Sequence, residues 1–209
     1  MAKKANKKTI IPIVLIIAIS SCLAALIFLL AISLPLISYI TAGIEVTDDI
    51  NLYNEVLGEN PKKQEYQTKW MNDKEIFPRK IKNKEEVKDF KMVYYNPWDA
   101  QYLAYLVIDY TPDEYNNEIE RLSSVGISKY IGYYSVTGFT KYELVAMRSD
   151  EYNGFIYAIT DKEKNEIIYV EIIFCNYFMD LDYNKYISKD YLPDGFDASL
   201  DNPYSKKQK

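Results

Sequence analysis

Tyr102-Leu103-Ala104-Tyr105-Leu106-Val107-Ile108-Asp109-Tyr110-Thr111-Pro112-Asp113-Glu114 is the stretch that decides the fold. Its first nine residues are mostly apolar and rich in aromatic and branched side chains, which predicts a strand. The next four residues open a helix. Thr111 can cap the orphan amides, Pro112 suits the first helical position, and Glu114 stands at the capping-box spacing. The helix so begun buries Tyr115, Ile119 and Leu122 and stops at Gly126. Asn116, Asn117, Glu118, Glu120 and Arg121 fall on its wetter side.

Upstream of this stretch, Phe90, Met92 and Tyr94 alternate with Lys91, Val93 and Tyr95, the period of a strand. Asn96-Pro97-Trp98-Asp99 supplies the turn that joins it to the next strand as a hairpin. Downstream, residues 127–139 show no single period among glycines 126, 132 and 138. Residues 142–148 and 155–160 then read as strands, with Asn153-Gly154 turning the chain between them. A polar loop at 161–166 leads to residues 167–177, an apolar run that predicts a central strand covered on both faces. Residues 183–189 suit a short helix, and Leu192-Pro193-Asp194-Gly195-Phe196 a turn. The order β-β-α-β-β-β predicts an α+β domain: an antiparallel sheet of about five strands with helix cover on one face.

At the N-terminus, residues 9–40 carry no charge and are long enough as a helix to cross the ~30 Å hydrocarbon layer. Pro12 lies near the start of this run, Pro35 near its far end, and Tyr39 where an interfacial aromatic would sit. Lys3, Lys4, Lys7 and Lys8 precede it, and Glu45, Asp48 and Asp49 follow it. That asymmetry orients a single span with its tail in the cytoplasm and the rest of the chain outside, in a bacterial cell envelope. The apolar run is longer than a cleavable signal requires. Ile19-Ser20-Ser21-Cys22 resembles a lipoprotein acylation site, but Leu23-Ala24-Ala25-Leu26 continues the apolar run where such a site opens a polar linker. The expected organisation is a tail at 1–8, an anchor at 9–40, a juxtamembrane connector at 41–75, a folded part at 76–198 and a polar end at 199–209.

The 209 residues include 25 basic and 30 acidic ones, with four of the lysines ahead of the span. The part beyond the span thus holds 21 basic and 30 acidic residues, a net charge of −9. A surface of that sign repels phosphate backbones, so no nucleic-acid partner is expected. Histidine is absent, which removes imidazole-based catalysis, His-ligated zinc and imidazole pH switching together. The two cysteines, Cys22 in the apolar run and Cys175 in a strand-like one, cannot staple an exterior domain to itself. Tyrosine is abundant at 21 residues. Because Lys, Asn and Ile share its A/T-rich codons, its frequency reads as genome composition plus a strand-rich fold.

Motifs with chemistry are few. Asp180, Asp182 and Asn184 have the opening spacing of a calcium loop, but Lys185 and Tyr191 stand where that loop needs glycine and a bidentate acid. Phosphate-cradling and Ser–Lys motifs are missing, and no cofactor or metal is expected. Asp99, Asp109 and Glu143 neighbour aromatics and are the acids from which a glycosidase-like pair would be drawn. Tyr94, Tyr95, Trp98, Tyr102 and Tyr105 crowd the first hairpin and form the expected binding surface. These observations favour a membrane-held domain that binds an envelope protein or polymer rather than an enzyme. The alternatives are a carboxylate-dependent envelope glycan hydrolase, or an accessory subunit whose Ser20, Ser21, Ala24 and Ala25 pack against another span.

Overall fold

A computed structural model describes residues 19–34 and 42–208. The chain divides into two compact units, Met1–Ala42 and Gly43–Lys209. Of the first, residues 19–34 form a helix (α1) with leucine, isoleucine and phenylalanine exposed along it. Among the described residues no helix is long and apolar enough to cross a membrane. The Lys-rich tail and both ends of the expected span, with Pro12, Pro35 and Tyr39, lie outside the described residues. Cys22 is on α1 and exposed.

The second unit is an α+β domain around one antiparallel sheet. In chain order its main elements are β1 (Ile44–Thr47), α2 (Tyr53–Val56), α3 (Gln64–Gln67), β2 (Val87–Tyr95), β3 (Gln101–Asp109), α4 (Pro112–Val125), β4 (Glu143–Asp150), β5 (Gly154–Asp161), β6 (Glu166–Ile173) and α5 (Pro203–Gln208). The sheet has six strands rather than about five, ordered β1-β2-β3-β6-β5-β4. The added member is β1, paired with β2 from Ile44 opposite Tyr95 to Thr47 opposite Met92. Four residues, three of them exposed, leave too little alternation to read as a strand from sequence.

β3 and β6 form the middle of the sheet and are buried along almost their whole length, as an apolar run covered on both faces must be. Alternation then sorts the side chains. Phe90, Met92, Tyr94, Leu106, Ile156 and Tyr169 point to one face, where Tyr115 and Leu122 of α4 meet them. Val93, Leu103, Phe155, Tyr157, Ile168 and Val170 point to the other. That second face is covered by turns and short helical segments from the 133–139 and 179–198 regions and by Tyr204 of α5, so cover is present on both sides and only the first has a long helix.

Two boundaries shift. Residues 41–75, expected to be a connector, belong largely to the domain: β1 joins the sheet, and Tyr53, Val56, Leu57 and Tyr66 enter the same core as α4. Of the expected polar end at 199–209, Asn202 and Ser205 are buried. Asn202 caps α5 through Ser205 N and donates to Tyr177 O at 2.9 Å. The α4 start differs in one detail. Thr111 Oγ1 donates to the Glu114 carboxylate at 2.7 Å instead of accepting from a backbone amide.

Candidate binding cleft

The pleat separates the five residues expected to share a binding surface. Tyr94 and Tyr102 are buried on the α4 side, ring to ring at 5.2 Å. Tyr105 is buried on the opposite face, its hydroxyl donating to Asp89 at 3.0 Å, and Tyr95 packs partly buried on that same side. Trp98 alone is largely exposed, at 56%. Hairpin pairing places Tyr94 opposite Tyr102, but residues one or three positions away along a strand point the other way.

The acids are likewise dispersed. Asp109 ends β3 and Glu143 begins β4, with β6 and β5 between them. Three strand spacings of about 4.8 Å put their backbones roughly 14 Å apart, and each carboxylate is engaged separately by a lysine of its own. Asp109 pairs with Lys88 at 3.1 Å and Glu143 with Lys162 at 2.5 Å. Asp99, in the β2–β3 turn at the other end of the sheet, accepts from Asn176. Asp180 accepts from Gln101 and Asp182 pairs with Lys185. Among the described residues no group of three or more His, Cys, Asp or Glu is placed to hold a metal ion.

Two features were not foreseen. The first is a buried ion cluster. Lys69 Nζ lies 2.8 Å from Asp73 and 2.8 Å from Glu171, which projects from central strand β6 with a fully buried side chain. Burial pushes the Glu171 carboxyl up, to about 7, against the pull of Lys69. Burial also opposes the charge on Lys69, yet the two carboxylates hold its ammonium above its ordinary value. The cluster thus sets one buried ammonium between two carboxyl groups. A lone acid inside the apolar run of β6 was the available sign.

The second is a cleft between α4 and the 74–86 stretch, formed by two adjoining hollows of about 280 Å³ and 820 Å³. Phe77, Pro78, Ile81, Ile108 and Val125 give it apolar walls. Arg121 shapes it. It grips Glu118 through Nε at 2.8 Å and Nη2 at 2.6 Å, and donates to the carbonyls of Glu75 and Ile76 at 2.7 Å each. These bonds fix the incoming stretch onto α4, and those to Glu118 hold the guanidinium above its usual range. Behind it Tyr110 meets Tyr169 at 2.8 Å, and Tyr169 donates to Glu118 at 2.7 Å.

Charge distinguishes this cleft from the rest of the domain. Its larger hollow is lined by Lys74, Arg79, Lys80, Lys82, Arg121 and Arg148 against Glu59, Glu75 and Glu118. Each acid is matched: Glu59 by Lys80 at 2.8 Å, Glu75 by Arg148 at 2.7 Å, and Glu118 by Arg121. Among the described residues Lys74, Arg79 and Lys82 enter no ion pair, leaving a local excess of three positive charges. The chain contains three arginines, at 79, 121 and 148, and all three line this hollow. The run Arg79-Lys80-Ile81-Lys82-Asn83-Lys84, basic within an acidic domain, was the signal to follow. The chain matches no protein-family model, no curated protein and no solved structure.

Proposed function

We propose that this chain is a membrane-held binding protein whose exterior domain takes an anionic group of an envelope polymer, a phosphate or carboxylate, into the cleft between α4 and the 74–86 stretch. The convergence of every arginine on one hollow carries the reading. Guanidinium groups bind planar carboxylates and phosphates in a fork that lysine cannot reproduce. In a chain otherwise so rich in lysine, that clustering is a chemical choice of site. The surplus cations also create an attractive basin on a surface of net charge −9 that elsewhere repels anions. The membrane part of the proposal is supported by the uncharged run at 9–40 and by α1, whose apolar side chains stand exposed along the helix and call for a non-aqueous surrounding. Binding is favoured over hydrolysis because the two buried carboxylates, Asp73 and Glu171, are bound to Lys69 and line neither hollow of the cleft.

Titration calorimetry of the full chain in zwitterionic detergent against a glycerol-phosphate oligomer tests this. A saturable isotherm that weakens with added salt, and by about tenfold or more in the Arg79→Ala, Lys82→Ala double variant, is expected. Heat that is absent at millimolar oligomer, or unchanged by removing both cations, overturns it.

A further inference from the structure

We propose a second binding site at the end of the sheet that carries the β2–β3 and β4–β5 turns: a platform for a neutral glycan chain, built on Tyr133, Tyr152, Tyr177 and Tyr204. The case begins with two tight turns. Val136 N donates to Tyr133 O at 2.9 Å, with Tyr134 and Ser135 between them at φ of 50° and 64°. Phe178 N reaches Cys175 O at 3.5 Å, with Asn176 and Tyr177 between them at 60° and 67°. Turns with two positive φ angles favour Asn-Gly, so Tyr177 stands where the backbone asks for glycine. A strained residue that the turn itself does not need is a sign of function.

What the strain achieves is a row of rings. Tyr177 lies 5.0 Å from Tyr152 and 6.1 Å from Tyr204, and Tyr204 lies 5.8 Å from Tyr133. Buried Tyr134 supports the row from below, 4.9 Å from Tyr204. The four rings of the row keep part of their surface in solvent. Beside Tyr204 opens a hollow of about 360 Å³ with Ile131, Val136 and Pro203 in its wall. The polar rim is made of planar groups. Asn176 donates to Asp99 at 3.0 Å and accepts from the Tyr152 hydroxyl, and Glu151 accepts from the Tyr204 hydroxyl at 2.9 Å.

Partly exposed rings beside an apolar hollow, with amide and carboxylate groups at the edge, match a sugar: C–H faces lie on rings, and hydroxyls find planar acceptors. Around the row, Asp99 and Glu151 are balanced by Lys129, which lies 5.3 Å over the Tyr133 ring, and by Lys207 in the wall of the hollow, so the site has no surplus cation like that of the α4 cleft and suits an uncharged occupant. The site stands independently of the anion reading.

The test is titration of the full chain, in zwitterionic detergent, with N,N′,N″,N‴-tetraacetylchitotetraose followed by calorimetry. Saturable binding is expected, weakened about tenfold by Tyr152→Ala and by Tyr177→Asn, a residue that tolerates the turn geometry. Tyr177→Asn should leave glycerol-phosphate binding unchanged. No saturation at about 10 mM sugar overturns the proposal, as does undiminished affinity in both variants. Tyr152-dependent binding to phosphatidylcholine vesicles, with none to the sugar, overturns the proposal and reassigns the surface to lipid.

Discussion

The two faces of the sheet carry cores of similar chemistry, yet they are closed in different ways. On one, α4 is a fourteen-residue helix that satisfies its own backbone, and the face also accommodates charge: the Lys69–Asp73–Glu171 cluster and the Arg121–Glu118 fork. On the other, the cover is irregular, and the groups that need partners are carbonyls. Tyrosine supplies them. Tyr134 donates to Glu151 O, and Tyr157 reaches Tyr191 O at 2.7 Å. The irregular part of the first face uses the same device, with Tyr53 bound to Pro78 O and Tyr102 to Glu65 O at 2.7 Å. An aromatic ring with a donor at its tip fills a core and ties down a loop in one side chain. The abundance of tyrosine thus has a structural cause beyond codon bias.

The contrast can be broken most forcefully at Lys69. Lys69→Met leaves two buried carboxylates without their cation and should cost about 3–5 kcal/mol in denaturant unfolding. Glu171 gives the next effect, through pH. Its folded value lies above the unfolded one, so between roughly pH 4.5 and 7 the folded state retains a proton that the unfolded chain has released. Stability from this group is therefore greatest below that window and falls as pH rises through it, by on the order of 1–3 kcal/mol. Glu171→Gln should flatten that slope, and unchanged pH dependence of Cm would refute the assignment. On the tyrosine face, Tyr157→Phe orphans the Tyr191 carbonyl and is expected to lower stability by about 1–2 kcal/mol with no pH dependence. Smallest should be Glu143→Gln, which removes an exposed pair with Lys162 and changes stability by less than about 0.5 kcal/mol. A larger loss there would mean that surface pairs contribute more than this comparison allows.

Where a local period and a local stop signal coincide, the fold was legible. The β2–β3 hairpin, α4 and the meander of β4, β5 and β6 all combine alternation or helical spacing with a turn or cap. The stretch from β1 to Phe77 offers only short helical turns, at Tyr53–Val56 and Gln64–Gln67. Tyr53, Val56, Leu57, Ile76 and Phe77 come in ones and twos, and only packing against distant β2 and β6 makes them core. The candidate sites fail for a related reason. Arg79, Arg121 and Arg148 are remote in sequence and meet through the placement of α4 beside the 74–86 stretch, while Lys69 and Glu171 are 102 positions apart. Crowding of Tyr94, Tyr95, Tyr102 and Tyr105 in sequence suggested proximity, and the pleat turned it into separation.

Edge strand β1 has a mechanical consequence. The chain reaches the domain at Ile44, opposite Tyr95, and runs from there along β2 to Thr47. Ladder bonds lie across the strand direction, so tension applied through residue 43 along β1 loads them side by side, in shear. Glu45 adds a cross-tie, bound by Lys63 and, at 3.2 Å, by the Tyr66 hydroxyl. Tension applied at residue 43 is therefore met first by four residue pairs and one carboxylate.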